Sequence, residues 1–540
     1  MYLNKQMAGQ TIIITGIPGV NIEKCLEKFV VYCKKEGKSV FVYHLDKEIE
    51  SIFLGSRRVD NIGRVWEEEI LITNYPKLHE IWNRAFKTIS EKINQKRSEN
   101  PEVTILLKIH ACYFHEKHEE YITLIDFSQF ALLDQKPAKI ITLIDDIYEI
   151  YHRLIELGGC YYRARETGEK QMVFRLLHLL EWRAMEIVLS RNSANQLKLA
   201  HYAFATKHSL ETFSKLIFDN RCNNKVYLSH PITEVRKLER NNRKDEAKKI
   251  MKEITEISEK LSLEYTTFLP TTIDELRIRF VGTIKEKKFL PALDKRWENE
   301  LYNNPEKFLY IKSGFEDTNK LWKSSVDELE ECKERTFLEV LANTIINQVT
   351  VRDYTLVGQS EILVMYRPLF NGSSSVGTQQ EFDYYKQYRI DTNNDNLSFI
   401  YCPRCDIEQF CINQFEGRIK ADVNFVSSGD KSTFKLSQKE VEILLIACEN
   451  RDSIDFKKQI LLVLHSALDN PSLNLSMKDR DISGPLSQNE IQSNKDDFVQ
   501  IYVEKDLSVI NAYEKTSAWF GAEVMTIDKL YYKINSLINK

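Results

Sequence analysis

The sequence predicts a helix-rich, multidomain α/β protein. Its 540 residues correspond to three or four domains at roughly 100–200 residues each. Short β-branched runs alternate with helical patterns along much of the chain, which is typical of βαβ units and a parallel sheet. Gly 18 and Pro 12 are few for a chain of this length, which disfavours folds built from repeated tight turns.

Charge and hydropathy argue against several classes of protein. Lys+Arg 75 against Asp+Glu 79 gives a net charge of −4, so no overall basic field predicts direct binding to nucleic acid or to an anionic membrane. The longest apolar runs, Ile443 to Ala447 and Ile460 to Leu464, fall far short of the roughly 20 residues that a membrane span needs. We therefore expect a cytoplasmic protein with reduced cysteines; a homo-oligomer or a regulatory protein partner is left open.

The first 150 residues are predicted to form an α/β domain. Its strands are the apolar runs at 11–16, 39–45, 103–109 and 139–144, and a helical pattern extends from Ile22 to Lys35. Residues 151–222 carry apolar positions at helical spacing and no strand signal, which predicts an all-helical connector.

A second α/β domain is predicted over residues 223–422. A strand at Lys225 to Leu228 precedes a long charged helix from Thr233 to Leu261, and Glu361 to Tyr366 is again a buried strand. Between them, residues 284–349 have the pattern of a helical insertion. Residues 423–540 are predicted to form a small α+β region, and its polar stretch, about 469–497, is predicted to be a linker or a long loop.

The turn after the first strand has two of the glycines that a phosphate-binding loop uses. The segment Gly16-Ile17-Pro18-Gly19-Val20-Asn21-Ile22-Glu23 resembles the P-loop of adenylate-kinase-like proteins, a resemblance that covers roughly residues 10–150. Gly16 and Gly19 stand where backbone N–H groups would approach a phosphate. Asn21, Ile22 and Glu23 replace the second glycine, the lysine and the Ser/Thr metal ligand. We expect a degenerate P-loop domain that keeps the fold without the phosphate chemistry; nucleotide binding without hydrolysis is the alternative.

Four smaller signals are explained without an active site. Asp145-Asp146 follows a strand, where carboxylates would serve a magnesium ion in an active relative. Glu181-Trp182-Arg183 and Lys207-His208 lie in the connector, where solvated helix faces or domain contacts explain them. Cys402 and Cys405 have the spacing of half a zinc site, but the ligand set is incomplete and free thiols are expected.

Three segments of the second α/β domain carry residues suited to chemistry. The first strand ends in Ser229-His230-Pro231, Arg352-Asp353-Tyr354 opens the segment leading into the next buried strand, and Ser374 to Glu381 is a small-residue turn entering a helix. Glu381 is expected on the first turn of that helix. Open α/β sheets bind ligands beyond the carboxyl ends of their strands, where we expect these segments to meet.

This order of segments resembles the nucleoside 2-deoxyribosyltransferase-like superfamily over about residues 225–390. The resemblance implies a Rossmann-like parallel sheet in which Glu381 is the nucleophile, Asp353 the supporting carboxylate and Tyr227 the aromatic residue of the first strand. Ser375 and Gly377 match the turn that holds the sugar or phosphate. The implied substrate-binding residues are Ser229, His230, Pro231, Arg352, Ser374, Ser375 and Gly377. The resemblance implies neither a cofactor nor a metal ion. Compact members of the superfamily lack the helical insertion that is predicted here.

Carboxylates suit the cleavage of an N-glycosidic bond. Positive charge develops on the sugar carbon, and a carboxylate beneath the ring can stabilise or trap it. Glu381 would attack the anomeric carbon, and Asp353 would donate or relay a proton to the departing base. The resemblance thus predicts an N-glycosidase or deoxyribosyltransferase acting on a nucleoside, a nucleotide or an NAD-like substrate. By analogy with the superfamily, it could be a regulated effector of anti-phage defence.

Each of these residues also has a plain structural explanation. Glu381 alone would be a partner of the helix dipole, Asp353 an N-cap and Tyr227 part of the core. The alternative function is therefore a catalytically inactive, nucleotide-binding sensor or scaffold.

Overall fold

The chain forms an α/β protein that divides into two compact units. In the computed structural model, the first unit comprises Met1–Tyr227 and Lys260–Glu361, and the second comprises Leu228–Glu259 and Ile362–Lys540. The residues described are 9–59, 62–115, 120–156, 169–219, 221, 224–273, 280–281, 288–289, 304–310, 335–366, 375–392, 397–401, 432–434, 475–477, 480–482, 498–503, 523–525 and 527–538.

Strands and helices alternate through the first 220 residues. The strands are β1 (Thr11–Thr15), β2 (Val40–His44), β3 (Thr104–Lys108), β4 (Tyr113–His115), β5 (Glu120–Ile122), β6 (Lys139–Ile144) and β7 (Ala200–Ala205). The α-helices are α1 (Ile22–Lys35), α2 (Leu45–Leu54), α3 (Ile62–Val65), α4 (Tyr75–Glu99), α5 (Ile147–Glu156), α6 (Glu169–Leu197) and α7 (Leu210–Phe218).

The rest of the chain continues the pattern with shorter strands. These are β8 (Lys225–Ser229), β9 (Thr266–Phe268), β10 (Phe280–Val281), β11 (Lys288–Phe289), β12 (Ile362–Tyr366), β13 (Ser398–Tyr401), β14 (Ser432–Phe434), β15 (Leu475–Met477), β16 (Arg480–Ile482), β17 (Phe498–Val503) and β18 (Glu523–Met525). The helices are α8 (Thr233–Arg240), α9 (Lys244–Glu264), α10 (Arg335–Gly358), α11 (Val376–Asp391) and α12 (Ile527–Ile538).

The first unit is built on a five-stranded parallel sheet of order β2-β3-β1-β6-β7. Strands β1, β3 and β6 are buried along nearly their whole length, as parallel strands covered on both faces should be. Helix α4 adds Trp82, Phe86 and Ile93 to the core, spaced to fall on one helix face. Burial of these apolar side chains is the main force that fixes the sheet.

The predicted strands of the first domain are confirmed, as is the helix Ile22–Lys35. The prediction of an all-helical connector is wrong at Ala200–Ala205, because this segment forms β7 and pairs in parallel with β6. Its sequence, AHYAFA, contains no β-branched residue. An edge strand with this composition gives a weak strand pattern and depends on its single neighbour.

A second sheet has the order β18-β13-β12-β8-β9, and the division between the two units falls within β8. Strand β8 runs parallel to β9, while β12, β13 and β18 run parallel to one another. The segments KVYLS and ILVMY are buried throughout, as predicted for strands. In the predicted long charged helix, the chain instead forms α8 and α9, separated near Asn242, whose φ of 60° is left-handed.

Two further predictions are wrong in part. Within the predicted helical insertion, Lys288–Phe289 pairs antiparallel with Phe280–Val281, although α10 does begin there at Arg335. Within the predicted polar linker, β15 and β16 join a four-stranded antiparallel sheet of order β14-β17-β15-β16. Cys402 and Cys405 lie outside the described residues. No helix in the described part of the chain has the length and apolar character needed to cross a bilayer.

Candidate functional site

Ser229 and Glu381 are joined by a short hydrogen bond inside the second unit. The Ser229 hydroxyl donates to Glu381 Oε2 over 2.5 Å. Ser229 is fully buried and Glu381 is only 9% exposed. A hydroxyl-to-carboxylate bond of this length is typical of a charge-assisted hydrogen bond. A carboxylate is therefore fixed in a largely dry environment by an uncharged donor.

Sheet topology explains why these two residues meet. The chain leaves β8 towards β9 on one side and leaves β12 towards β13 on the other, so β8 and β12 flank a topological switch point. Ser229 is the last residue of β8, and Glu381 lies on α11, which follows β12. Ligands of open α/β sheets bind at such a point, beyond the carboxyl ends of the strands.

Helix α11 begins in a way that changes the predicted roles of its first residues. Ser375 is its N-cap and its side chain accepts the Thr378 N–H, while the Thr378 hydroxyl donates to the Ser375 carbonyl over 2.9 Å. Gly377 is already helical and exposed. Glu381 is the sixth helical residue, so the expectation of a first-turn position is wrong. Ser374 lies outside the described residues.

His230 and Pro231 follow Ser229 and are both buried. His230 Nδ1 donates to the Leu228 carbonyl over 3.1 Å, which leaves the Nε2 lone pair as an acceptor. Nε2 is buried and has no hydrogen-bond partner among the described residues. Burial lowers the pKa of His230 to about 4, so the ring is neutral at pH 7.

Tyr227 is fully buried in β8, two residues before Ser229. Alternation along a strand places both residues on the same face of the sheet. Its complete burial agrees with the plain explanation of a core residue.

Arg352 and Asp353 lie inside α10 in the first unit, so the expectation that they open the segment leading into β12 is wrong. Arg352 donates to Asp353 Oδ1 from Nη2 over 2.8 Å and to the Ile273 carbonyl over 2.6 Å. A longer bond of 3.4 Å reaches the Pro270 carbonyl. Arg352 thus holds the segment after β9, with Asp353 as its counterion. Glu381 belongs to the other unit.

The loop after β1 is filled by side chains of its own unit. Gly19 has a φ of +75°, and a Cβ there would lie 2.9 Å from side-chain atoms of Ile150 and Leu154 on α5. Ile17 and Val20 are each 1% exposed. The space beside Gly19 is therefore occupied by apolar groups.

The Asp145-Asp146 pair takes part in internal ion pairs. Arg153 Nη1 donates to Asp145 Oδ2 over 2.8 Å and to the Gly19 carbonyl over 2.9 Å. Lys207 Nζ lies 3.9 Å from Asp146 Oδ2. Among the described residues, no group of three or more His, Cys, Asp or Glu is arranged to hold a metal ion.

Helix α6 supplies a buried carboxylate that sequence reasoning missed. Glu186 is 1% exposed, and its carboxylate accepts backbone N–H bonds from Gly16, Ala111 and Cys112, each 2.9 Å long. Trp182 is also buried, so this side of the helix makes internal contacts, and of the two predicted explanations, solvated faces and domain contacts, only the second can apply there. The spacing of Trp182, Glu186 and Ser190 at four residues was the available signal, because all three share one helix face.

Comparisons with known proteins identify no family. No family model matches the chain, and no curated protein matches it significantly. Among solved structures, the chain is similar to a shikimate kinase from Acinetobacter baumannii in complex with shikimate. The identity is 14% and the TM-score 0.24, and the match covers 40% of this chain and 96% of that chain.

Proposed function

We propose that the second unit cleaves an N-glycosidic bond with Glu381 as the nucleophile. The observation that carries this proposal is the buried Glu381 carboxylate held by Ser229 at the switch point of the second sheet. One carboxylate oxygen is oriented by the serine hydroxyl. Orientation of a nucleophile by a neighbouring donor reduces the freedom that it must lose in the transition state.

The reaction proceeds in two displacements. A carboxylate oxygen of Glu381 bonds to the anomeric carbon as the bond from that carbon to the base nitrogen breaks. The bonding electron pair leaves with the base, which takes a proton from water. A second water then attacks the anomeric carbon of the ester, loses a proton to solvent and restores the carboxylate. A base nitrogen in place of the second water makes the enzyme a transferase.

His230 supports a substrate that carries hydrogen-bond donors. Its neutral ring presents Nε2 as a buried acceptor. A buried acceptor without a partner costs free energy, which a substrate N–H or O–H would recover. Nucleosides and nucleotides carry both kinds of donor. Asp353 has Arg352 as its counterion on α10, so the proton for the departing base is assigned to water rather than to Asp353.

The test is release of free base from a panel of nucleosides, deoxynucleotides and NAD, followed by chromatography. The purified chain should release base from at least one member of the panel. Glu381→Gln should lower the rate by at least about a hundredfold, because the amide is not a nucleophile. Asp383→Asn is the matched control, since Asp383 is an exposed acid two residues further on the same helix. Equal rates for wild type and Glu381→Gln would exclude the proposal.

An inactive nucleotide-binding sensor or scaffold is the second candidate. The closed loop of the first unit favours only the inactive part of this candidate, because Glu186 already occupies backbone N–H groups there. This function predicts nucleotide-dependent stabilisation of the chain without base release. The proposed role in anti-phage defence rests on the resemblance alone, and a phage challenge comparing wild type with Glu381→Gln tests it.

A further inference from the structure

Three backbone N–H groups from two separate loops converge on one carboxylate in the first unit. Gly16 N and Ala111 N both donate to Glu186 Oε1, and Cys112 N donates to Oε2, each over 2.9 Å. The Cys112 thiol adds a weaker bond of 3.4 Å to Oε2. Among the described residues, no cationic side chain forms an ion pair with Glu186. Its charge is therefore stabilised by N–H dipoles, as a bound anion would be.

This cluster lies at the switch point of the first sheet. From β1 the chain crosses to β2 on one side, and from β3 it proceeds to β6 on the other. Gly16 follows β1, and Ala111 and Cys112 follow β3, so the donors come from the two loops that flank the crevice. Open α/β sheets bind their ligands in this crevice.

The loop backbone is fixed in a form that presents these donors. Gly16 has a φ of +146°, and a Cβ there would lie 2.6 Å from the Leu143 carbonyl oxygen, so only glycine fits. The Gly16 carbonyl accepts a 2.6 Å hydrogen bond from His110 Nδ1. Both backbone polar groups of Gly16 are thus hydrogen-bonded: the carbonyl to His110 and the N–H to the Glu186 carboxylate.

We propose that this nest of N–H groups is an oxyanion-binding site and that Glu186 is its intramolecular ligand. The carboxylate takes the position of a small oxyanion such as formate or inorganic phosphate. It closes the crevice and ties α6 to the loops after β1 and β3. This inference concerns the first unit and is independent of glycosidic cleavage in the second.

Chemical rescue tests the proposal. Glu186→Ala should lower the midpoint of thermal unfolding, and formate or inorganic phosphate should raise it again in a saturable manner at constant ionic strength. Formate and phosphate, titrated separately against chloride, distinguish a carboxylate-sized from a phosphate-sized site. Wild type and Glu181→Ala, which removes an exposed acid from the same helix, should show no saturable response.

Three outcomes would overturn the proposal. The first is a folded Glu186→Ala variant that responds to oxyanions no more than Glu181→Ala does. The second is a Glu186→Gln variant as stable as wild type, because its NH₂ group would have to face a backbone N–H donor. If Glu186→Ala does not fold in buffer, its refolding yield in formate is compared with its refolding yield in chloride. Equal yields in the two salts are the third outcome that would overturn the proposal.

Discussion

Three buried carboxylates among the described residues have different kinds of partner. Glu186 is bound by backbone N–H groups, Glu381 by the Ser229 hydroxyl and Asp145 by the Arg153 guanidinium. Each arrangement offsets the cost of removing a charge from water. The partners differ in what they leave available: a guanidinium neutralises its carboxylate, whereas a hydroxyl leaves the negative charge in place.

Gly19 is predicted to be irreplaceable for packing reasons, and Gly37 is its matched control. Both have a positive φ, but a Cβ at Gly37 would meet nothing within 4 Å, whereas one at Gly19 would meet α5. Gly37→Ala should cost about 1 kcal/mol of backbone strain. Gly19→Ala should cost about 1–3 kcal/mol more through overpacking. Denaturant unfolding of the two variants measures this difference. Equal losses of unfolding free energy would show that the space beside Gly19 is not filled by α5.

At the scale of elements, α6 is part of the first unit and fixes two of its loops. It carries Trp182 and Glu186 on the face that packs into the first unit, and Arg183 Nη1 donates to the Asp145 carbonyl over 3.1 Å. The helix thereby holds both the loop after β1 and the end of β6. The polar residues of a helix of mixed polarity are usually expected to face solvent. In α6, however, Glu186 and Arg183 form hydrogen bonds with backbone groups of the loops that follow the strands.

Helix α11 offers a prediction that separates a cap from a substrate ligand at Ser375. As an N-cap, Ser375 can be replaced by Asp with little loss of stability, whereas Ser375→Ala should cost about 1 kcal/mol. The midpoint of thermal unfolding measures both effects. If both variants are as stable as wild type, the hydroxyl is not a cap, and the substrate-binding role predicted from the sequence regains its support.

At the scale of the whole chain, histidines that are buried or half-buried predict sensitivity to acid. Burial lowers the pKa of His44, His208 and His230 to about 4 and that of His201 to about 3. An unfolded histidine titrates near 6.5, so acid protonates the unfolded chain before the folded one. The contribution of these histidines to the free energy of unfolding should therefore be fully present above about pH 6.5. It should fall as the pH drops towards 4, by roughly 2–3 kcal/mol for each histidine whose folded-state pKa is near 4.

His208→Gln tests the source of this pH dependence. His208 Nδ1 donates to the Ala205 carbonyl and Nε2 accepts from Leu269 N–H, so the neutral ring is satisfied. The variant should be less stable at pH 7 but should lose less on acidification between pH 6.5 and 4. His79→Gln, at a partly exposed site, is the control. An unchanged slope in His208→Gln would assign the acid sensitivity to other groups.

The site could be predicted only where side chains carried the signal. The proximity of Ser229 and Glu381 could be expected from the sequence, because a strand end and a helix after a later buried strand have recognisable sequence patterns. The contacts of Glu186 could not, because its three partners are backbone N–H groups that lie 170, 75 and 74 residues away in the sequence. Backbone donors leave no trace in residue identity.

The sequence by itself determined the α/β class, the central strands and helix α1, because continuous apolar runs and helical spacing are local properties of the chain. Only the tertiary structure decided that β7 and the short strands β15 and β16 exist, since such segments gain stability from their neighbours. It also decided which buried acids meet which partners. Contacts between distant segments depend on where the sheet brings each loop, and that position is a property of the folded chain as a whole.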